Sequence, residues 1–348
     1  MNAPLWLSNV IFWSVQVALL VGAATLLPRA LRIRQPRILL VYWRTLLAIS
    51  LLLPLLQPWH RQKPVAPAVT PMAFAPPPSA VPPSPGVSRW QLPSLSSIAP
   101  LVGVVLLAGI AVRLAMLTLG LLKLRQLRRS SSPVVPSSEA SCILEEIGAL
   151  VNARAEFRLS ASVDSPVTFG LVAPVILLPE RFPAFEPRFQ SAIACHELLH
   201  VQRRDWAHHV FEELLRATFW FHPAIAWLIS RVRLAREQVV DRAVVRLTQA
   251  RKPYLEALLE FANARASVAV MPAPPFLAER QLVERVALML KEVRMSRTRI
   301  IASLAAIACS LAVVVTLAAR TFPLRAPVRM AQTASEGGSA ADTIWVWP

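Results

Sequence analysis

The chain has 348 residues, of which 55% are hydrophobic, and it carries a formal net charge of +17. A soluble basic protein would be much more polar, so the composition indicates a membrane protein and gives no reason to expect direct nucleic-acid binding. Its three cysteines, Cys142, Cys195 and Cys309, form no C-x-x-C pair, so neither a disulfide framework nor a cysteine zinc site is indicated.

Four segments are apolar over the length needed to cross a bilayer, which is roughly 20 residues. They run about Leu5–Leu27, Ile38–Leu56, Ile98–Leu122 and Ile300–Ala319. The second contains Arg44, which we interpret as marking a ragged end of its segment. The third contains Arg113, which is expected to reach an interface or to pair within the helix bundle. The sequence thus predicts a polytopic, mainly α-helical membrane protein.

Clusters of basic residues predict the orientation of these spans. The clusters lie at 29–37, 123–129 and 291–299, and all three fall on one side of the membrane if the amino terminus is outside. Because positive clusters stay in the cytoplasm, that side is expected to be cytoplasmic. The predicted localisation is therefore the inner (cytoplasmic) membrane, with many passes through the lipid bilayer. The expected organisation is two spans with a short basic cytoplasmic loop (1–57), an outer Pro-rich loop (58–97), a third span (98–122), a cytoplasmic domain (123–299), a fourth span (300–319) and a short outer tail (320–348).

The early part of the cytoplasmic segment has mixed α and β patterns. Helical periodicity covers about Ser138–Ala153, and strand patterns cover Phe157–Ser160 and Val167–Leu178. Pro174 lies inside the second strand pattern, so that run is expected to be either an edge strand or two strands joined at a bend. An edge strand there could align an extended peptide by β-augmentation, although ordinary sheet is an equal alternative.

After Pro187 the sequence becomes helical. Asp205 is expected to cap the helix that follows it. An apolar segment, Phe219–Ile229, is interrupted at His222-Pro223 and is expected to pack on the core or to lie at the membrane interface. The predicted helices are about Pro187–Gln202, Trp206–Thr218, Arg231–Ala250, Tyr254–Ala266 and Ala278–Val293.

The segment 196–200 reads His-Glu-Leu-Leu-His, an H-E-x-x-H motif within an apolar helical stretch. On a helix His196 and His200 lie on one face, one turn apart, so both imidazoles can bind one Zn²⁺. Glu197 then lies beside the metal and can act as general base for the water that attacks a scissile carbonyl. Chance occurrence of the motif is the alternative, and the uncharged flanks argue against it.

Zinc needs a third protein ligand, and Glu237 is the best candidate. Asp241 follows it at i+4 on the same helix face and could support a histidine ligand through its free N–H. The alternative is a solvated charged face in which Arg236 and Arg242 pair with these carboxylates. His222 is the competing third ligand, or a residue that contacts substrate, and His208-His209 is a weaker candidate.

At this point the sequence resembles the signal-transducing membrane zinc peptidases of the BlaR and MecR type, over roughly residues 5–320. The resemblance rests on the order of spans and on several local matches. The matches are Thr168-Phe169-Gly170, Pro174-Val175-Ile176-Leu177-Leu178-Pro179, the motif followed by Arg203-Arg204-Asp205, Phe219-Trp220-Phe221-His222-Pro223, and Glu237 through Asp241.

The resemblance implies a cytoplasmic α+β, gluzincin-like zinc metallopeptidase domain with His196, His200 and Glu237 on Zn²⁺ and Glu197 as base. It also implies regulated cleavage of a polypeptide, which is either a cytoplasmic DNA-binding repressor or the protein itself. A homodimer is a further expectation. The chain departs from the antibiotic sensors because only the tail after Ala319 follows the fourth span, where those sensors carry a penicillin-binding domain. No Ser lies three residues before any lysine, so direct β-lactam sensing is not expected.

Two other functions fit the same residues. The first is a housekeeping membrane zinc protease that removes damaged proteins. The second is a receptor or scaffold that keeps the fold without catalysis, and the intact Glu197 argues against it.

Overall fold

The computed structural model describes residues 4–57, 59–61, 95–136, 138–267, 275–289 and 297–326. Four of the described helices are long and apolar enough to cross a membrane, at Leu5–Ala30, Pro36–Leu55, Ile98–Ser130 and Ile301–Thr321. The predicted mainly helical, multi-pass architecture is confirmed at this level. Most of the predicted Pro-rich loop and outer tail lies outside the described residues.

The elements in chain order are α1 (Leu5–Ala30), α2 (Pro36–Leu56), β1 (His60–Arg61), α3 (Leu95–Ser130), β2 (Ser132–Pro133), α4 (Glu139–Val151), β3 (Glu156–Ser160), β4 (Val167–Phe169), β5 (Val175–Pro179), α5 (Pro187–Gln202), α6 (Asp205–Thr218), α7 (Pro223–Thr248), α8 (Arg251–Ser267), α9 (Pro275–Met289), α10 (Arg297–Thr321) and β6 (Arg325–Ala326). A 3₁₀ turn at Phe182–Ala184 precedes α5. Helix α3 is longer than the predicted third span because its basic end continues the helix without a break.

The start of α1 and the ends of α2 and α10 meet at one end of the bundle. The short strands β1 and β6 pair in parallel there. The side chain of Asn9 also makes two hydrogen bonds with the backbone of Arg325, at 2.9 and 3.0 Å. These contacts put the beginning of the first span and the ends of the second and fourth spans on the same side of the bundle.

The sheet has the strand order β2-β3-β5-β4. Strand β3 pairs in parallel with β5, and β4 pairs antiparallel with β5. The predicted run Val167–Leu178 is therefore two strands joined at a bend, one of the two forms expected from Pro174. Gly170 begins the turn at φ +102°, where an added Cβ would lie 2.6 Å from the Ala173 carbonyl oxygen. Strand β5 is fully buried, and β4 lies at the edge of the sheet beside α5.

Helix α7 is continuous from Pro223 to Thr248, which corrects the prediction of a separate apolar segment and a later helix. Pro223 occupies the first helical position, where a missing N–H breaks no intrahelical bond, so it begins a helix here. The first half of α7 packs with α1 and α2, and Ile225, Leu228 and Ile229 lie in the core that these helices share with α10. Its second half packs with α5, α8 and α9, and Val240 and Val244 lie in the core that also includes α4. One helix thus belongs to both hydrophobic cores.

Arg44 lies in the middle of α2, which corrects its interpretation as the end of a segment. Its Nη2 atom is buried and has no hydrogen-bond partner among the described residues. The backbone stays helical on both sides because Pro36 begins α2 and the apolar residues after Arg44 continue it.

Candidate metal centre

Helix α5 places both motif histidines toward one point. The His196 and His200 Nε2 atoms are 3.1 Å apart, and their side chains are only 12% and 14% exposed. The apolar face of α5, including Cys195 and Leu198, is fully buried in the domain core. Cys195 is therefore a core residue as expected, and burial raises the pKa of its thiol to about 11. The packing of this face fixes the direction of the histidine face.

Glu237 reaches the same point from α7. Its two carboxylate oxygens lie 3.6 Å from His196 Nε2 and 3.6 Å from His200 Nε2. Two ligand atoms bound to one tetrahedral zinc ion lie about 3.3 Å apart, given zinc–ligand distances of about 2.0–2.1 Å. The observed separations of 3.1 and 3.6 Å bracket that value. The donor set of two imidazoles and one carboxylate therefore fits Zn²⁺ and leaves a fourth position open.

Asp205 fixes the ring of His200. Its Oδ2 atom lies 2.9 Å from His200 Nδ1, so the imidazole donates Nδ1–H to the carboxylate and turns the Nε2 lone pair toward the centre. Asp205 is the first residue of α6, and the capping position is Arg204 in a left-handed conformation at φ +53°. The predicted cap at Asp205 is therefore wrong, because this carboxylate binds the preceding helix instead.

Tyr254 fixes the ring of His196, with Asp241 behind it. The Tyr254 hydroxyl lies 2.7 Å from His196 Nδ1 and donates to Asp241 Oδ1 at 2.6 Å. The hydroxyl oxygen therefore accepts the His196 Nδ1–H, which again leaves the Nε2 lone pair free. Asp241 Oδ1 itself lies 3.7 Å from His196 Nδ1, so its support reaches the ring through the tyrosine.

Arg285 of α9 joins the two carboxylates of α7. It donates two hydrogen bonds to Asp241, at 2.7 and 2.9 Å, and its Nη1 lies 3.4 Å from Glu237. Asp241 is only 1% exposed, so its charge is compensated inside the protein. This corrects the alternative of a solvated charged face paired with Arg236 and Arg242.

Burial and charge act in opposite directions on the ligands. Burial by itself would lower the pKa of His200, but the neighbouring carboxylates, chiefly that of Glu237, raise it to about 9. Burial would raise the pKa of Glu237, but the two histidines and Arg285 hold it well below its usual range. Because a metal binds the neutral imidazole, metal binding at this site competes with protonation of His200.

Strand β4 contacts Glu197, the second residue of the motif. Thr168 Oγ1 donates a hydrogen bond of 2.6 Å to Glu197 Oε2. This bond occupies one carboxylate oxygen of Glu197 and restricts its rotation. Glu197 is therefore placed beside the histidine pair by contacts from both α5 and the edge of the sheet.

His222 lies away from this cluster, which corrects its assignment as an alternative ligand or substrate contact. It caps α7 by accepting from the Ile225 N–H at 3.4 Å, and its ring lies 5.3 Å from that of Trp13 in α1. Glu237 is fifteen residues further along the same helix, about 22 Å at a rise of about 1.5 Å per residue. Glu212 and Glu213 of α6 form ion pairs with Arg233 and Arg236 and are not part of the cluster.

The sequence analysis missed three supporting residues: Asp205 as a partner of His200, Tyr254 and Arg285. Asp205 carried a signal, since it follows the motif closely within a family-like string. Tyr254 and Arg285 lie on other helices, α8 and α9, and nothing in the linear sequence connects them with the motif.

Comparisons with known proteins show a family match over most of the chain. The family described as BlaR1 peptidase M56 matches residues 9–289 of the chain. The regulatory protein BlaR1 of Bacillus licheniformis is 30% identical over 108 residues, which are 30% of this chain and 18% of that protein. The methicillin resistance mecR1 proteins of Staphylococcus aureus and Staphylococcus epidermidis are each 32% identical over 91 residues, 25% of this chain and 15% of theirs. The aligned segments thus span less than a fifth of these curated relatives.

The metal content of the purified protein tests the ligand set. We expect about one Zn²⁺ per chain, and Glu237→Ala is expected to lower that ratio strongly because two imidazoles alone hold zinc weakly. His222→Ala is the matched control and is expected to keep the metal. Elemental analysis against protein concentration measures both. A zinc-free His222→Ala beside a fully loaded Glu237→Ala would reassign the third position.

The support of His200 is tested by Asp205→Asn, which keeps the shape of the side chain and removes its charge. Loss of a carboxylate that orients a zinc histidine weakens metal affinity about 10- to 100-fold. Asp164→Asn, in an exposed loop, is the control and is expected to bind as the wild type does. Titration against a competing zinc chelator gives the affinities, and thermal unfolding of the metal-free proteins verifies folding. Equal affinities for the two variants would refute the role of Asp205.

Proposed function

Because the chain belongs to the BlaR1 peptidase M56 family, we propose that it is a membrane zinc endopeptidase that cleaves a cytoplasmic DNA-binding repressor, itself, or both in transmembrane signalling. The family supports a membrane signal-transducing peptidase. The aligned relatives are named as regulatory and resistance proteins, and those names describe them and not this chain.

One observation carries the proposal. Potential ligand atoms of His196, His200 and Glu237 lie within 4.8 Å of one another, in a site next to Glu197. Each histidine has its Nδ1 engaged by a protein oxygen, so both Nε2 lone pairs are directed to the same place. Such an arrangement is pre-formed for a metal, because one ligand atom from each of the three side chains converges on a single point.

The chemistry follows from these residues. Zn²⁺ bound there would supply a Lewis acid that polarises the scissile carbonyl and lowers the pKa of water. Glu197 takes a proton from the attacking water and delivers it to the nitrogen of the leaving amine. Thr168 holds the carboxylate of Glu197 by its 2.6 Å hydrogen bond while the proton moves. Tyr254 and Asp205 hold the two imidazoles in the required tautomer throughout.

The sheet edge offers a place for an extended substrate. Strand β4 is the edge strand, and in the described part of the chain no strand pairs with its outer side. Its Thr168 contacts Glu197, so a peptide added along β4 would pass next to the catalytic carboxylate. Such a site takes extended chain, and the scissile bond of the substrate should therefore lie in a linker or partly unfolded hinge.

The proposed orientation puts this site in the cytoplasm. Residues 123–299 form the peptidase domain, and the basic clusters next to the spans hold it on the cytoplasmic side. The meeting of the start of α1 with the ends of α2 and α10 supports the arrangement, because these ends must then share the outer side.

Cleavage is tested by Glu197→Gln, which removes the base and keeps the metal ligands. We expect zinc content to stay nearly normal and cleavage of a co-expressed candidate repressor, such as one encoded beside this gene, to fall at least about 100-fold. Glu146→Gln, exposed on α4, is the matched control and is expected to retain full activity. Immunoblots of both proteins under envelope stress measure the outcome.

Three results of that experiment distinguish the functions. Full cleavage by Glu197→Gln would contradict the mechanism. A repressor that stays intact with wild-type protein under every stress, while unfolded membrane proteins are degraded, would favour quality control. Loss of the intact membrane protein itself, with the repressor unchanged, would favour self-cleavage.

Reporter fusions test the orientation. Fusions at residue 75 and residue 335, which lie outside the described residues, are expected to report the outer side, and a fusion at residue 150 is expected to report the cytoplasm. The reason is that moving an arginine into the bilayer costs about 3 kcal/mol. An outer signal from residue 150 would put the site on the wrong side for a cytoplasmic substrate.

A further inference from the structure

A cavity of about 370 Å³ lies between the α1–α2 connection and α7. Four arginines line it, and none of the residues that the structure places in its wall is acidic. Three of these arginines come from the end of α1 and the connection, and the fourth comes from the middle of α7. The residues that matter here are Arg29, Arg32, Arg34, Arg231, Trp43 and Trp227.

Arg231 and the two tryptophans form one side of this cavity. The guanidinium carbon of Arg231 lies 5.9 Å from the ring centre of Trp43 and 5.9 Å from that of Trp227. The two rings are 5.5 Å apart and nearly perpendicular, at 88°. Because the rings hold it by cation–π contacts, Arg231 is a positioned charge rather than a freely moving one.

The other three arginines are free to bind an anion. Arg29, Arg32 and Arg34 are exposed, and no hydrogen bond or ion pair joins their side chains to other described residues. A positive-inside loop needs only its charge and no cavity. Here the fold adds Arg231 from a distant part of the chain, two aromatic rings and a concave wall. That addition indicates a binding site rather than an orientation signal alone.

The position of the cavity indicates which kind of anion it binds. It lies where α1 ends and α2 begins, and both helices are candidate membrane spans. Tryptophan and arginine side chains at such helix ends meet lipid headgroups, and basic pockets between spans bind acidic phospholipids. We propose that this cavity binds the phosphate of an acidic phospholipid headgroup, with Arg231 as its fixed contact. The proposal depends on neither metal binding nor peptide cleavage.

A carboxylate of the protein itself also binds the guanidinium of Arg231. Glu284 of α9 lies 3.0 and 3.3 Å from Arg231 Nη1. The next residue on α9, Arg285, binds Asp241 of α7. A lipid phosphate would therefore compete with Glu284 for Arg231. The stronger the Arg231–Glu284 ion pair that joins α9 to α7, the weaker the binding of lipid should be.

The experiment uses the full chain purified in a neutral detergent. Native mass spectrometry measures the binding of phosphatidylglycerol, of phosphatidylcholine with the same acyl chains, and of inorganic phosphate. The test variant is Arg29→Gln with Arg32→Gln, and the matched control is Arg125→Gln with Arg129→Gln at the membrane-adjacent end of α3. The four substituted arginines are exposed, so both variants are expected to fold, and their unfolding temperatures verify this.

We expect the wild type to prefer phosphatidylglycerol to phosphatidylcholine and to bind inorganic phosphate weakly. The cavity variant should bind phosphatidylglycerol at least about tenfold more weakly, and the control should change less than about twofold. Equal losses in both variants would show that the charge acts diffusely and would overturn the site. Inorganic phosphate that binds as well as phosphatidylglycerol would assign the cavity to a free anion and overturn the lipid. Equal binding of the two lipids would also overturn it.

Glu284→Gln gives an independent result of opposite sign. It removes the competing carboxylate and leaves the four arginines in place, so phosphatidylglycerol should bind roughly fivefold more tightly. Weaker or unchanged binding would contradict the shared use of Arg231. Zinc content, which does not depend on the lipid, is measured on the same samples, so failure of the lipid site and failure of the metal site can be told apart.

Discussion

The position of α7 in two hydrophobic cores is the constraint on which the site depends. Its first half packs against α1 and α2, and its second half packs against α5, α8 and α9. Glu237 lies where these two halves join, one turn before Val240 of the second core. A helix that is packed on both sides of this point has little freedom to rotate, so the carboxylate meets the histidines of α5 at a fixed height and angle.

Polar contacts then fix the orientation of the side chains that packing has brought together. Each histidine is held by an oxygen from a different helix, Asp205 of α6 and Tyr254 of α8. Arg285 of α9 neutralises the two carboxylates of α7. Every one of these groups would be costly to bury alone, and each has at least one polar or charged partner in this network. The candidate metal centre is therefore a product of five helices, with the sheet edge adding the contact from Thr168 to Glu197.

The charge distribution has two separate roles in this chain. Arginines at the ends of the spans face outward, and α7 carries arginines that face inward to Glu212, Glu213 and Glu284. All members of the inward group are paired, and the Arg236–Glu212 pair is buried, with Arg236 only 4% exposed. The inward arginines are thus compensated by carboxylates. The excess positive charge, which gives the net charge of +17, lies at the predicted membrane surfaces.

The sequence by itself determined several features that depend on periodicity or on short spacing. Apolar runs of sufficient length gave the four spans, the i, i+4 spacing gave the histidine pair on α5, and Pro174 gave the division of the second strand pattern. Glu237 was found because its own spacing to Asp241 marked a polar helix face. The wide spacing of the three cysteines also argued against a cysteine ligand, and Cys195 is buried in the core.

Only the tertiary structure decided which distant groups meet. Pro223 starts α7 rather than interrupting an apolar segment, because the position of a proline within a helix depends on where the helix begins. Asp205 turns back to His200 instead of capping α6, and His222 faces Trp13 instead of the metal centre. Tyr254 and Arg285 join the site through packing between helices far apart in the chain. No linear pattern encodes such contacts, since they depend on how the helix faces are rotated against one another when both cores close.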